Sequence, residues 1–493
     1  MFYKNLLKTK KTSDKQFEFD VFNMQQNTSD DDVLVKDGQA TLSYNFICGD
    51  GSLKSGYGFQ ELVMPYSETN LDDEYPFAVR GTQVQRLWKL KWYDAANDEN
   101  HHYLFFYNDE NYVCFDDLFR ERFMTFFWPT EFTSLPYITN YRYNNQDSIL
   151  LSGKDDKLMI ICGNGTAKKG EAPEIVSCCN HYGKLFAITA SARGALVYTD
   201  VDIINWDDAL TKQLDFSDGR GDLNKIISFN DYLYLFRDFG ITKVSVYSSG
   251  ADFSISHIYK SSGYIHPNTV VEMGDEVYFL EGEKLKSFDG NNVKDVEVDC
   301  LSLLKGQDNR YANAEAFDGK YFLACRGFFE GENVGCESCA DGYNNNMLVV
   351  YDVAQKHVDV LRGVDIRQLL ALTNSLKSKL VACFYNDNKA KIGQLTYNGA
   401  VFGEKLTGVW KSGKIDFEMP TKRKRIKSIS ITSFSDCQIT IKSDEEEKSY
   451  TVKGNSEKQN LQTNVFGQRF EFEISSCGED ADYISDFVVT VSV

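Results

Sequence analysis

Asn224–Val246 reads N-K-I-I-S-F-N-D-Y-L-Y-L-F-R-D-F-G-I-T-K-V-S-V, and Asn268–Phe288 repeats the pattern as N-T-V-V-E-M-G-D-E-V-Y-F-L-E-G-E-K-L-K-S-F. Each stretch holds an apolar strand, a two-residue polar turn, a Tyr-bearing strand, a second turn and a third strand. The first turns are Asn230-Asp231 and Gly274-Asp275, residues that tolerate the positive φ of tight hairpins. A unit of three or four strands that recurs every 40 to 50 residues or so predicts a β-propeller.

The same unit is traceable seven times from Gln85 onward. One residue of each second strand aligns the units, and these residues are Leu104, Leu150, Phe186, Tyr234, Tyr278, Phe322 and Val381. The turns expected before them are Asn100-His101, Gln146-Asp147, Tyr182-Gly183, Asn230-Asp231, Gly274-Asp275, Asp318-Gly319 and Lys377-Ser378. Radial blades bury each sheet between its neighbours and leave only short edges. The sequence therefore predicts seven blades, with six and eight as the alternatives.

The repeat stops after Gly399, and alternation of another kind begins. Apolar residues at every second position mark four strands: Ile429 and Ile431; Cys437, Ile439 and Ile441; Phe470, Phe472 and Ile474; Phe487, Val489 and Val491. Such alternation is typical of strands that bury one face. We therefore predict an all-β fold with three parts: an N-terminal arm or peripheral strand over residues 1–40, a β-propeller over 41–405, and a small C-terminal β-sandwich over 406–493.

Bulk composition excludes several classes of protein. The chain has 493 residues, of which 42% are hydrophobic and 14% aromatic, so it can bury a large core. Its net charge of −19 argues against broad binding to nucleic acid or to an anionic membrane. No apolar run is long enough to span a bilayer, and the lysine-rich start lacks the apolar segment of a secretory signal. Twelve scattered cysteines indicate a protein made in a reducing cytoplasm.

The sharpest metal-like spacing is Cys336-x-x-Cys339, in an insertion over Phe328–Asn346. Structural zinc needs four ligands, and a second such pair is missing; Cys300 and Cys325 are the nearest upstream candidates. We expect a thiol pair in a loop and no metal. Insertions of this kind lie in loops on one face of a propeller, where binding function is common.

Other motifs favour structural interpretations. Asp215–Asp222 is expected to be a solvated turn between blades, since it lacks the closing Glu of a calcium loop. The glycines of residues 41–62 predict short strands joined by tight turns; a phosphate-binding loop would need Gly-Lys-Ser/Thr. Tyr198–Trp206 resembles a sialidase Asp-box turn but lacks its glycine. Lys422–Arg425 is a basic tetrad. It could serve nuclear import or bind an anion, or it could be a solvated turn at the start of the sandwich, and we favour the turn.

No motif nominates a catalytic, cofactor-binding or metal residue. The six histidines form no H-E-x-x-H pattern, and no G-x-S-x-G elbow is present. We therefore expect a protein that is not an enzyme and that carries no cofactor.

The order of sequence features resembles that of the propeller proteins of tailed-bacteriophage virions. These include the packaged-DNA stabilisation, or portal-closing, tail proteins of short-tailed phages. The stretches that carry the resemblance are Cys48–Gly58, Tyr198–Trp206, Asp231–Ile241, Gly263–Val270, Val277–Gly290, Trp410–Phe417 and Phe466–Phe472. The resemblance implies a non-enzymatic virion component of the neck, tail hub or tail accessories. It implies a homo-oligomeric ring that docks on neck, portal or tail subunits and contacts packaged DNA, with no membrane partner.

Two other functions compete with this one. Abundant aromatic residues and the 328–346 insertion suggest a glycan-binding or glycan-cleaving propeller at the host-contact tip of a tail. A propeller scaffold of a cell is the third hypothesis, and a gene neighbourhood free of portal, capsid and terminase genes would favour it.

Overall fold

The computed structural model describes residues 14–18, 40–49, 51–62, 84–108, 113–117, 132–134, 136–154, 156–200, 212–247, 253–298, 300–329, 345–373, 378–386, 389–478 and 481–493. Two compact units divide the chain. The first takes its residues from Met1–Phe59, His357–Arg362 and Thr396–Val493, and the second from Gln60–Lys356 and Gly363–Leu395. In the described part of the chain, no helix is long and apolar enough to cross a membrane.

Almost all regular structure is β-strand. The early strands are β1 (Lys15–Glu18), β2 (Ala40–Tyr44), β3 (Phe46–Gly49), β4 (Ser52–Ser55) and β5 (Gly58–Glu61). The middle strands are β6 (Val84–Asp94), β7 (Glu99–Asn108), β8 (Val113–Asp117), β9 (Tyr137–Tyr143), β10 (Gln146–Ser152), β11 (Lys157–Cys162), β12 (Ala167–Glu171), β13 (Ile175–His181), β14 (Lys184–Thr189), β15 (Ala195–Asp200), β16 (Lys212–Asp215), β17 (Leu223–Phe229), β18 (Tyr232–Arg237), β19 (Gly240–Val246), β20 (Phe253–Lys260), β21 (Val271–Met273), β22 (Glu276–Glu281), β23 (Lys284–Phe288), β24 (Val293–Asp295), β25 (Asn313–Phe317), β26 (Lys320–Cys325), β27 (Met347–Asp352), β28 (His357–Arg362), β29 (Ile366–Thr373), β30 (Ser378–Asn386) and β31 (Lys389–Thr396). The late strands are β32 (Ala400–Val401), β33 (Glu404–Lys405), β34 (Val409–Ser412), β35 (Lys424–Ser433), β36 (Cys437–Ser443), β37 (Glu447–Val452), β38 (Lys458–Gly467), β39 (Phe470–Ser476) and β40 (Tyr483–Ser492). Within the described residues, three short 3₁₀ helices span Ala190–Ala192, Pro267–Thr269 and Leu301–Leu304.

The second unit is a β-propeller built from antiparallel sheets that follow one another along the chain. Four of them have the strand orders β9–β12, β13–β16, β17–β20 and β21–β24, and three more contain β6–β8, β25–β27 and β29–β31. Each alignment residue of the repeat lies in the second strand of one sheet, as predicted, from Leu104 in β7 to Val381 in β30. The periodicity of the sequence therefore follows the order of the sheets.

Two-residue turns join the first and second strands of most of these sheets. Asn230 and Asp231 have φ of 47° and 62°, and Asp318 and Gly319 have φ of 49° and 71°. Positive φ at both central positions is the type I′ geometry that matches the twist of a hairpin. The local sequence therefore sets the register of each hairpin.

Two of the predicted turns were wrong. Asn100-His101 and Gln146-Asp147 lie inside strands β7 and β10. The chain reverses earlier, at Asp98 (φ 53°) and at Asn144 and Asn145 (φ 47° and 59°), because these Asn and Asp residues accept positive φ. Ser378, predicted in the last turn, begins β30, and Lys377 lies outside the described residues.

Side-chain hydrogen bonds link each propeller sheet to the next. Among the described residues, one such bond at each successive junction is Trp88 to Asn140, Tyr137 to Cys178, Ser177 to Ile226, Tyr234 to Gly290, Tyr321 to Thr269, Asn313 to Leu369, and Gln368 to Leu87. The last link connects the final sheet to the first, because Gln368 Oε1 accepts from Leu87 N at 2.9 Å and Gln368 Nε2 donates to Leu87 O at 2.8 Å. No backbone ladder between the described strands joins the last sheet to the first, and residues 63–83 are not described, so the count of seven blades stays a prediction.

Small apolar clusters fill the spaces between neighbouring propeller sheets. One joins the sheets of β17 and β21 and includes Phe236 and Phe279, whose ring centroids are 5.4 Å apart. Another joins the sheets of β13 and β17 through Phe186 and Leu235. Each sheet therefore packs on its neighbours with both faces, which suits the apolar second strands of the repeat.

The first unit is a β-sandwich of two antiparallel sheets. One has the order β3-β4-β40-β35-β38 with β1 paired to β40, and the other has the order β2-β34-β39-β36-β37. Their inner faces share one core, which contains all the residues predicted from alternation, from Ile429 to Val491. The predicted peripheral strand is β1, which pairs Lys15–Glu18 with Val488–Val491.

The unit boundaries differ from the predicted ones. Residues 41–59 and 396–405, assigned to the propeller from sequence, lie in the unit that contains the sandwich. Phe46 and Leu53 are buried in the sandwich core, and the short strands and turns predicted for residues 41–62 are present as β2–β5. Alternation within a short strand does not reveal which distant strand will pair with it, so the boundary at residue 41 was misplaced.

Candidate functional site

A cavity of about 700 Å³ lies where the first strands of the propeller sheets converge. Its wall takes residues from the seven successive sheets, among them Trp88, Ile138, Cys179, Ser228, Val271, Ala314 and Leu369. A volume of this size lies within the range of small-molecule sites. The axial cavity is therefore the first candidate site.

Five charged residues line the axial cavity: Lys89, Lys225, Glu272, Glu315 and Arg367. Burial lowers the pKa of Lys225, although the nearby Glu315 opposes the shift. Burial also raises the pKa of Glu272 and of Glu315, against the influence of Lys225 and, for Glu315, of Lys89. Because the wall presents both signs of charge, it suits water or a small polar molecule better than a polyanion.

These charged residues were not predicted from sequence, although a signal for them was present. Lys225 and Glu272 stand within the quoted repeats, in the apolar runs N-K-I-I-S-F and V-V-E-M, and Glu315 stands in N-A-E-A-F. A single charged residue in an otherwise apolar first strand indicates a side chain that faces a polar space. The recurrence of one charged residue in the first strand of several repeats would have predicted the cavity wall.

Two cysteines in the cavity wall are not nucleophiles. Burial raises the pKa of the Cys178 thiol to about 12 and raises that of Cys179 as well. Because the thiolate is the reactive form, both side chains stay protonated at neutral pH and act as packing residues.

The acidic turn over Asp215–Asp222 is more structured than the solvated turn predicted. The Asp218 carboxylate lies 2.7 Å from Arg237 Nη1, 3.2 Å from Arg220 Nη1 and 3.1 Å from His257 Nε2. Burial opposes ionisation of Asp218, but the Arg220 amide, Arg237 and His257 outweigh it and lower its pKa. The Arg237 side chain is fully buried, so this turn is held by an ion-pair cluster.

A second cluster, absent from the sequence predictions, brings Cys48, His357 and Asp359 together. His357 Nε2 lies 2.9 Å from Asp359 Oδ1, which also accepts from the Cys48 amide at 3.4 Å. Tyr57 donates its hydroxyl to Asp359 Oδ2 at 3.5 Å. The residue types suggest a thiol protease, but burial and Asp359 raise the pKa of Cys48 to about 12. The thiol is therefore unsuited to attack.

The basic tetrad does not form one cationic surface. Arg423 donates two hydrogen bonds to Glu445 at 2.7 and 2.6 Å. Lys424 is buried, and its Nζ donates to the carbonyls of Met419 and Lys422. Arg425 pairs with Asn464. Lys422 and Arg423 precede β35, whereas Lys424 and Arg425 begin it. The predicted solvated turn therefore covers only the first half of the tetrad, and the buried Lys424 lies outside it.

Two motifs lie wholly or partly outside the described residues. Cys336 and Cys339 belong to residues 330–344, and only the start of Tyr198–Trp206 is described, in β15. Within the described residues, no group of three or more His, Cys, Asp or Glu side chains is arranged to hold a metal ion. The prediction of a thiol pair without metal therefore stays a prediction.

Comparison with known proteins finds neither a matching family model nor a matching curated protein. Among solved structures, the chain is similar to a lead-soaked crystal of BBS1N in complex with ARL6DN, at 8% identity and a TM-score of 0.44, covering 69% of this chain and 97% of that one. A mercury-soaked crystal of the same complex matches at 11% identity and a TM-score of 0.41, covering 65% and 95%. Likenesses at this level carry no argument about function, which must come from the residues.

Proposed function

We propose that this chain is a non-enzymatic structural component of a bacteriophage virion, located in the neck or tail, which acts by docking on other virion proteins. The virion role is supported by the order of sequence features described above. The docking role is supported by charged residues that pair with one another inside the protein and make it rigid. In both the Asp218 and the Asp359 cluster, the carboxylate accepts bonds that hold strands and loops in place.

The observation that most supports a non-enzymatic role is the engagement of the charged groups: Asp218 lies 2.7 Å from the buried Arg237 Nη1, and Asp359 lies 2.9 Å from His357 Nε2. Burial also raises the pKa of the Cys48 and Cys178 thiols, which disfavours the reactive thiolate. In this proposal rigidity is the useful property, because a scaffold must hold its docking surfaces at fixed positions against neighbouring subunits.

The proposal includes contact with packaged DNA, and we do not expect that contact in the axial cavity. Glu272 and Glu315 line that cavity, and its volume of about 700 Å³ suits a small molecule rather than a duplex. DNA would therefore meet an outer surface of the assembled protein.

The test is to label particles with an antibody against this chain and to image them by negative-stain electron microscopy. We expect label at the neck or tail of intact virions. An antibody against the major capsid protein is the positive control, and label confined to cell debris would refute the virion role.

The homo-oligomeric ring is tested separately by sedimentation velocity of the purified chain, alone and with portal or neck proteins. We expect a closed oligomer in at least one of these mixtures. A monomer in every mixture would remove the ring from the proposal and leave the labelling result to decide the rest.

A further inference from the structure

Two exposed aromatic side chains meet on the propeller surface where the β18–β19 turn approaches the loop after β20. Phe239 is 42% exposed and Tyr264 is 38% exposed. Their ring centroids lie 6.4 Å apart with an interplanar angle of 78°. The two rings form an edge-to-face pair that remains partly open to solvent, and we call this pair the aromatic corner.

Backbone hydrogen bonds fix the aromatic corner from both sides. Phe239 N donates to Arg220 O at 2.9 Å, and Ser261 N donates to Phe239 O at 3.1 Å. Around the second ring, Ile265 N donates to Asp238 O at 2.9 Å and Gly282 N donates to Tyr264 O at 2.7 Å. The backbone that carries both rings is therefore held before any ligand arrives, which reduces the entropy cost of binding.

Polar groups surround the aromatic corner, and some of them are available to a ligand. Asp238 accepts from Asp222 N at 2.9 Å and from Asn224 Nδ2 at 2.8 Å. Neither the Asp222 carboxylate nor the Tyr264 hydroxyl has a hydrogen-bond partner among the described residues. Burial, together with the charges of Asp238 and Asp222, raises the pKa of Tyr264, so its hydroxyl remains a donor at neutral pH.

Two arginines near the rings are already engaged. Arg220 Nη1 lies 3.2 Å from Asp218 Oδ2, and Arg220 Nε donates to Tyr259 O at 3.3 Å. Arg193 Nε donates to Leu223 O at 2.9 Å, and its Nη2 donates to Asn224 Oδ1. The free side-chain atoms around the rings are therefore an acceptor carboxylate and a phenol rather than a cation. A ligand that carries a carboxylate or sulfate would meet Asp222 and Asp238 and be repelled.

We infer that the aromatic corner is a binding site for neutral oligosaccharides. The C–H faces of a pyranose ring pack on aromatic side chains, whose π faces are electron-rich. Its hydroxyl groups can donate to the Asp222 carboxylate and accept from the Tyr264 hydroxyl. Asp222 and Asp238 select against sialic and uronic acids. The inference names a ligand class for the glycan-binding alternative and does not depend on the virion role.

The test uses a glycan array that displays neutral, N-acetylated and acidic oligosaccharides, followed by saturation-transfer NMR of the best neutral hit with the full chain. We expect neutral hits, weak or absent acidic ones, and signal transfer to the C–H groups of one sugar face. The F239A/Y264A double variant should lose affinity by roughly tenfold or more, because exposed aromatic anchors carry most of the energy of such small sites.

The matched control is Tyr247→Ala, which removes another exposed aromatic ring, 55% exposed, at the opposite end of β19. It should bind as the unchanged protein does, and thermal melting should confirm that all variants fold. An array without neutral hits would overturn the inference. So would equal affinity of the double variant, or acidic glycans that bind as well as neutral ones. None of these results affects particle labelling.

Discussion

The sandwich and the propeller bury their apolar residues in different ways. In the sandwich, one core joins residues from both ends of the chain, including Phe46, Trp410 and Phe472. In the propeller, separate clusters lie between neighbouring sheets, as Phe236 and Phe279 do between the sheets of β17 and β21. We therefore expect the sandwich to unfold as one cooperative unit and the propeller to distribute its stability over successive interfaces, as repeat proteins do.

The largest effect is expected in the sandwich. Phe472 is fully buried, and its ring lies 5.6 Å from that of Phe487. Phe472→Ala should cost about 3–5 kcal/mol of unfolding free energy through lost burial and a residual cavity. Hydrogen exchange should rise across β2, β34–β40 and β1 together. A rise in hydrogen exchange confined to β39 and its two neighbouring strands would show that the sandwich is not one cooperative unit.

The next effect concerns the side-chain link between the last and the first of the described propeller sheets. Gln368→Ala removes both bonds to the Leu87 backbone and should cost about 1–3 kcal/mol, because a buried amide and carbonyl lose their partners. Exchange should rise mainly in β6 and β29. Gln213→Ala is the control, since its exposed amide bonds only the exposed Asp215. A uniform rise throughout the propeller would contradict distributed stability.

The third prediction concerns pH. The folded-state pKa of Asp218 is lowered, so its ionised form contributes stability that is present above the unfolded-state pKa. That contribution should be lost as the pH falls through the lower, folded-state value. Urea unfolding followed from pH 6 to pH 3 should therefore show declining stability for the propeller. The decline should be shallower in Asp218→Asn, and an unchanged slope would show that the Asp218 cluster is not coupled to folding.

The smallest effect is expected at the edge of the sandwich. Lys427 Nζ lies 2.7 Å from Asp14 Oδ1, and both side chains are partly exposed. Lys427→Ala should change the unfolding free energy by about 0–1 kcal/mol, since water and salt screen such pairs. Equilibrium unfolding at low and high salt provides the measurement. A loss comparable with that of Phe472→Ala would mean that β1 is essential to the sandwich rather than peripheral.

Local features of this fold were predictable from sequence, whereas distant pairings were not. The hairpin turns at Asn230-Asp231 and Asp318-Gly319 follow from residues that accept positive φ. The pairing of β2 with β34, which joins Ser43 to Trp410, spans most of the chain and leaves no local signal. For that reason the sandwich was predicted without its N-terminal strands.

The candidate sites follow the same rule. Alternation in β35 and β36 predicted which residues lie in the core, because burial depends on strand period. The ion pair between Asp218 and Arg237 depends on how the loop before β17 folds back onto the end of β18. The meeting of Phe239 and Tyr264 likewise joins two connections that are distant in sequence. Such juxtapositions require the tertiary structure.

Cryo-electron microscopy of gradient-purified phage particles, with mass spectrometry of the same sample, tests the virion role most directly. We predict that this chain is present in a fixed ratio to the portal protein. We also predict density for several copies of a propeller and a β-sandwich around the neck or tail. Purified, infectious particles that lack the chain and any such density would contradict it.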